Sequence, residues 1–138
     1  DIATIDDDGY VKIVDRKKEL IINAAGKNMS PANIEARLKA AHPLIGQACV
    51  IGDGRPYNVA LLVLDPDVAA GFEGDRAATV AAAVEEANSH LSRVEQVKRY
   101  VVLDTDWLPG GDELTPTMKL KRKPIAAKYA EEIEALYA

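Results

Sequence analysis

One cysteine, Cys49, and two histidines are all the thiol and imidazole metal ligands in this chain of 138 residues. A lone thiol forms no internal disulfide, and neither histidine has a cysteine at metal spacing, so a disulfide framework and a Cys-rich metal site are both excluded. Cys49 lies in the apolar run "QACVIG" and reads as a buried small hydrophobe. His42 falls at a helix end and His90 in the middle of a helix, both structural or exposed. No run of about 18 apolar residues exists, which excludes a transmembrane helix. The acidic N-terminus is unlike a signal peptide, which points to a cytoplasmic protein. Net positive charge is missing too. A formal charge of -5 and a pI near 5.0 argue against nucleic acid or a membrane surface as partner of the whole domain. There is no Walker-type "GxxxxGK", and Asp6, Asp7 and Asp8 lack the spacing and closing glutamate of a calcium loop. No metal site is expected. An initial Met is absent as well: the chain opens "DIATIDDDGYVKIVDR", already inside a strand pair, and is expected to be a piece of a longer protein.

What is present is enough for one core. Apolar residues make up 48% of the chain, which suits one globular unit. Residues 2–5 and 10–15 flank "DDDG", whose Asp8-Gly9 suits a tight hairpin turn. "ELIIN" then reads as a buried strand and "AAGKNMSP" as loop. Ser30 is a good N-cap and Pro31 a good first helical residue, so "PANIEARLKAA" is expected to be a helix with Ile34, Leu38 and Ala41 inward. Strands are expected over 47–52 and 58–64, paired antiparallel through a turn at "GDGRPY". Beyond Pro66 the sequence turns Ala-rich, and "DRAATVAAAVEEANSHLSRV" predicts a long helix with Val80, Val84 and Leu91 on its apolar side. A short strand at 100–103, a Pro- and Gly-punctuated loop and a terminal helix from Pro124 complete the chain. The class is α+β: a roughly three-stranded sheet packed with helices, preceded by a hairpin that has no place in that core.

Two basic clusters carry the candidate chemistry. Arg16, Lys17 and Lys18 lie between the hairpin and the main domain; Lys119, Lys121, Arg122 and Lys123 lie in "LTPTMKLKRKP". A charge run taken alone is a solvated face. In the second cluster, however, Thr115, Pro116 and Thr117 form a stiff polar entry. On an extended chain Lys119 points away from Met118 and Leu120. A flexible loop presenting one lysine could reach an anionic substrate held elsewhere. Glu35 reads as a helix-surface acid paired with Lys39 at (i, i+4), Gly26 by itself as a plain turn residue, and Trp107 beside Pro109 as a loop anchor. Residues alone go no further than an α+β domain with two basic loops.

The order of motifs adds a resemblance. "GYVKIVDRKKELIINAAGKNMSPANIE" resembles the hinge motif of the adenylate-forming enzymes, the superfamily of acyl-CoA synthetases, luciferases and adenylation domains: a "DR-x-K", an apolar strand, a Gly and "P-x-x-IE". "LTPTMKLKR" resembles that superfamily's C-terminal motif "T-x-x-G-K-I-x-R", with Thr115, Lys119, Leu120 and Arg122 in register. Two motifs about a hundred residues apart, in the right order, make a specific signal. The form "TPTMKLKR" is similar to that of bacterial long-chain fatty acid CoA ligases.

The resemblance implies a C-terminal lid domain over 19–138, a hinge at 16–18 and, at 1–15, the hairpin tail of a large N-terminal adenylation domain that is the lid's partner. It implies a ligase converting fatty acid, ATP and CoA through an acyl-adenylate to acyl-CoA, AMP and pyrophosphate, with Mg2+ accompanying ATP and held mainly by the large domain. Lys119 matches the catalytic lysine of the first half-reaction and an ATP/AMP contact. Lys18 matches the hinge residue, Arg16 and Asp1 the groups that hold the adenylate ribose, and Gly26, Lys27 and Asn28 the loop that would admit the pantetheine arm of CoA for the second. The isolated lid is expected to be inactive, and peripheral membrane association of the full enzyme stays open. The alternatives are the lid of a fatty acyl-AMP ligase that delivers to a carrier protein, and a non-catalytic interaction module of the same fold. Two positions depart from the pattern: Met118 replaces the usual Gly before the lysine, and Ile22 stands where luciferase-like members carry a lysine used in their second step.

Overall fold

A computed structural model describes residues 2–5, 11–14 and 20–138. Strands β1 (Ile2–Ile5) and β2 (Val11–Val14) pair antiparallel with Ile2 opposite Val14, as the hairpin reading expects. The "DDDG" turn, Asp1 and the hinge at 16–18 lie outside the described residues, so the expectations for Asp1, Arg16 and Lys18 are not addressed by it.

The main body is a three-stranded sheet between two helical layers. Its strands β5 (Ile45–Ile51), β6 (Asn58–Leu64) and β7 (Val97–Leu103) stand in that spatial order, β5 antiparallel and β7 parallel to β6. The unbroken apolar run of β6 follows from its central place. Ala60 and Leu62 point into one core, shared with Ile34 and Leu38 of α1 (Pro31–Ala41) and Val80 and Val84 of α3 (Arg76–Ser89). Leu61 and Val63 point into a second core with Cys49, Trp107, Leu114, Ile125, Tyr129 and Ile133. A strand buried on both faces needs no polar alternation. The parallel β6–β7 pair requires a crossover, and α3 with the short α2 (Pro66–Ala70) supplies it.

Helix α1 starts as expected: the Ser30 hydroxyl caps it by accepting from Asn33 N at 3.2 Å, and Pro31 occupies the first turn, where no amide partner is needed. Other expectations are corrected. The "buried strand" in "ELIIN" is a two-residue arm, β3 (Ile21–Ile22), paired with β4 (Asn28–Met29) inside what reads as loop; Ile21 is buried and Ile22 is 50% exposed. The long helix expected in "DRAATVAAAVEEANSHLSRV" is α3, but it ends at Ser89, so buried Leu91 lies just past it. His90 is the C-cap of α3 rather than mid-helix, next to Glu86 at 3.0 Å. The strand expected at 100–103 begins at Val97, which is buried. The terminal helix breaks at Tyr129 into α4 (Arg122–Lys128) and α5 (Ala130–Tyr137).

Candidate functional site

Lys119 is carried on a tight hairpin. Thr115 O accepts from Met118 N at 2.9 Å, closing a four-residue turn with Pro116 second, where its fixed φ fits. Met118 follows at φ +67°, the left-handed conformation that closes a three-residue hairpin loop and favours glycine. Thr115 then holds the lysine's backbone at both ends: its N–H donates to Lys119 O at 2.8 Å and its Oγ1 accepts from Lys119 N at 3.0 Å. Below this rung Leu114 bridges Leu120, Glu113 O accepts from Lys121 N at 2.8 Å, and Lys121 Nζ donates to Gly111 O. The expected flexible loop is therefore a hydrogen-bonded hairpin. Lys119 is exposed on it and Leu114 is fully buried.

The hairpin's lysine borders a cleft of about 210 Å3 that also touches Glu35, Lys39, Gln47, Met118 and Arg122. Three of these side chains are cations, and the carboxylate among them is bound up. Arg122 Nη1 and Nη2 reach Glu35 Oε2 and Oε1 at 2.7 Å each, and Oε2 also accepts from Val50 N at 2.7 Å. This corrects the reading of Glu35 as a surface acid paired with Lys39: it is 5% exposed, and its partner comes from the start of α4. Such a cleft favours an anion. Cys49 sits behind the pair, its thiol pushed up to about 12 chiefly by burial and next by the nearby Glu35 charge, with Arg122 opposing.

The base of the hairpin holds a second buried carboxylate that sequence reasoning did not single out. Glu113 Oε2 accepts from Tyr129 OH at 2.8 Å and from Lys128 Nζ at 2.6 Å; the Tyr129 oxygen in turn accepts from Trp107 Nε1 at 3.1 Å. Trp107 is thus the expected loop anchor. Burial, then its contact with Glu113, raises the Tyr129 hydroxyl against the opposing Trp107 bond, while the Glu113 carboxylate raises Lys128.

Gly26, Lys27 and Asn28 lie on the exposed β3–β4 turn. Asn23 Oδ1 accepts from Ala25 N and Lys27 N at 3.0 and 2.9 Å, and Gly26 takes φ +82°. Nothing lies within 4 Å of where a Cβ on Gly26 would stand, so the glycine answers to its dihedral angle and not to crowding within the described residues. The turn is seated on the β5–β6 connection: Ala24 N donates to Arg55 O at 2.9 Å, Gly54 N to Ile22 O at 2.8 Å, and Ile22 N to Asp53 Oδ1 at 3.1 Å. That connection is anchored by α5, through the Arg55–Glu134 ion pair and Tyr137 OH, which donates to Tyr57 O at 2.9 Å. Helix α1 joins the two candidate regions. The Gly26 turn runs into its N-cap, and its Glu35 and Lys39 border the cleft of Lys119. Among the described residues no group of three His, Cys, Asp or Glu side chains is placed to hold a metal ion, and no helix is long and apolar enough to cross a membrane.

The chain is 56% identical, over all of its length, to fadD11 of Mycobacterium tuberculosis strain CDC 1551 / Oshkosh, named as a fatty-acid–CoA ligase. It is 42% identical over 99% of its length to the long-chain-fatty-acid–CoA ligase FadD15 of Mycobacterium tuberculosis strain H37Rv. It spans only 27% of the first relative and 26% of the second. Among solved structures, the adenylation domain of a carboxylate reductase from Mycobacterium chelonae has the same fold, with a TM-score of 0.76 over 94% of this chain and 21% of that one at 24% identity. Residues 18–138, which include the Gly26 turn, both buried carboxylates and the Lys119 hairpin, match the family described as the AMP-binding enzyme C-terminal domain, and the chain belongs to that family.

Proposed function

We propose that this chain is the mobile C-terminal lid of a long-chain fatty acid CoA ligase, turning between a state that forms the acyl-adenylate and one that forms the thioester. The observation that carries the reading is the grip of Thr115 on Lys119, which presents one ammonium from a fixed hairpin beside a cationic cleft. In the first state Lys119 bridges fatty acid carboxylate and α-phosphate oxygens as the carboxylate attacks and pyrophosphate leaves. A fixed cation at developing negative charge in a closed site is worth about a hundredfold or more in rate. A lysine left in water contributes almost nothing.

In the second state the lid turns about the hinge at 16–18, with Lys18 as its pivot, and the Gly26 turn, with Lys27 and Asn28, faces the pantetheine arm of CoA. Arg16 and Asp1 hold the ribose of the adenylate. Position 22, half exposed, is isoleucine, so no second-step lysine role is assigned there. Mg2+ would accompany ATP, held mainly by the large N-terminal domain.

The test uses a full-length ligase carrying this chain as its C-terminal domain. Lys119→Ala is expected to slow acyl-adenylate formation from fatty acid and ATP by about a hundredfold or more while thioester formation from supplied acyl-adenylate and CoA survives. Two unchanged half-reactions would reduce Lys119 to a surface charge and end the reading.

A further inference from the structure

The polar group at the base of the lysine hairpin has no part in the reading above. A carboxylate taken out of water is costly, and an apolar residue of similar size would close the same turn at least as stably. Glu113 is nevertheless 5% exposed, next to the fully buried Leu114 of the Leu114–Leu120 rung, with its charge fixed by two donors from one side. Those donors, Lys128 and Tyr129, stand at the junction where α4 ends and α5 begins, and Trp107 fixes the Tyr129 hydroxyl from the loop after β7. The break in the terminal helix thus lies at the residue that grips Glu113. Tyr129 OH gives one hydrogen bond and accepts another, which leaves its rotor a single orientation.

From this, and resting on the assignment of Lys119 to adenylate formation, we propose that Glu113 is a positioning residue for Lys119, with Tyr129 and Lys128 as its anchors. The geometry gives it one route of action. The Glu113 side chain is locked to α4 and α5; its own carbonyl accepts from Lys121 N at 2.8 Å; one rung further along, Thr115 N and Oγ1 hold the Lys119 backbone. On the other flank Arg122 is held by Glu35 of α1. The hairpin is therefore clamped at both of its feet, and rotation of one foot swings the ammonium at the tip. The Gly26 turn is seated on Asp53, Gly54 and Arg55 and shares no hydrogen bond with this group. Loosening Glu113 acts on the half-reaction that needs the lysine and leaves the one that needs the turn.

The experiment compares Glu113→Gln, Tyr129→Phe and Lys119→Ala in the full-length ligase, timing acyl-adenylate formation by pyrophosphate exchange and thioester formation from supplied acyl-adenylate. Gln keeps the shape and an acceptor oxygen, and Phe keeps the ring in the core. Each is expected to lower kcat for adenylation about tenfold, since small misplacements of a reacting group carry effects of that order. KM for fatty acid and ATP and the thioester rate stay within about threefold. The double variant is expected to be no slower than the worse single one, because both changes break one chain of hydrogen bonds. Adenylation at the unaltered rate in both variants, or parallel loss in both half-reactions as general damage to the domain gives, overturns the positioning role. If Lys119→Ala also leaves adenylation intact, the lysine assignment itself has failed. If Lys119→Ala abolishes it and the other two do not slow it, only the role of Glu113 has.

Discussion

Arg122 and Glu35, 87 residues apart, meet in a two-pronged ion pair with both nitrogen-to-oxygen distances at 2.7 Å. The pair crosses the open edge of the sheet, since Glu35 Oε2 also takes the Val50 amide of edge strand β5. It therefore does three things: it joins the α1 layer to the α4 layer, it satisfies an edge amide that would otherwise invite pairing, and it fixes the exit of the lysine hairpin.

Removing one partner strands the other. Arg122→Ala leaves a buried carboxylate without its guanidinium, and the expected loss is about 3 to 5 kcal/mol of folding stability. Arg122→Lys, which keeps the charge but has no planar fork, loses less. Chemical denaturation of Glu35→Gln, Arg122→Ala and the double variant measures the coupling directly. A coupling near zero would show that the two side chains merely sit close together.

Met118 lends itself to a sharper test, because its φ of +67° is the conformation in which an L side chain costs about 1 kcal/mol. Its side chain is 48% exposed, so little packing is lost on removing it. Met118→Gly relieves the strain but frees the unfolded chain, with a net gain of about 0.5 kcal/mol or less. Met118→Val, branched at Cβ, is expected to lose about 1 kcal/mol or more at the same place. Thermal melts of the two variants check the ranking; Val as stable as Gly would mean that the hairpin closes by another turn.

How much of this was legible in the sequence depends on how local its cause is. The Ser30-Pro31 start of α1, the inward Ile34 and Leu38, and the strand over 58–64 are set by neighbours three or four residues away or by a local run of apolar residues, and they read correctly. Lys119 stood out through motif order. Glu35 did not, because an acid at (i, i+4) from a lysine has the pattern of any exposed helix face, and only the fold brings Arg122 to it. Strand β4 is two residues held by a turn and a partner rather than by β propensity. The break at Tyr129 has no Gly or Pro to announce it; its side chain is spoken for by Glu113 and Trp107, both distant in sequence. Glu113 carried no signal at all, since "GGDEL" reads as solvated loop.

Cys49 leads to a prediction about alkaline stability. Its thiol is raised from the usual 9.0 to about 12, chiefly by burial, so the folded chain keeps a proton that the unfolded chain gives up. Below pH 9 both states hold the proton and the thiol's contribution is fully present. Above it only the folded state does, so stability falls as pH rises toward 12. The slope is about 1.4 kcal/mol per pH unit for one proton. Tyr137, raised from 10.0 to about 12 mainly by burial, adds loss of the same sign, but only above pH 10. The interval from pH 9 to 10 therefore isolates the cysteine. Urea midpoints across that interval are expected to drop in the native sequence and to stay nearly level in Cys49→Ala, despite that variant's lower starting stability from the cavity it leaves. The same decline in both would assign the alkaline loss to other groups, and Cys49 would then titrate like an exposed thiol despite its position between Glu35, Arg122 and the second core.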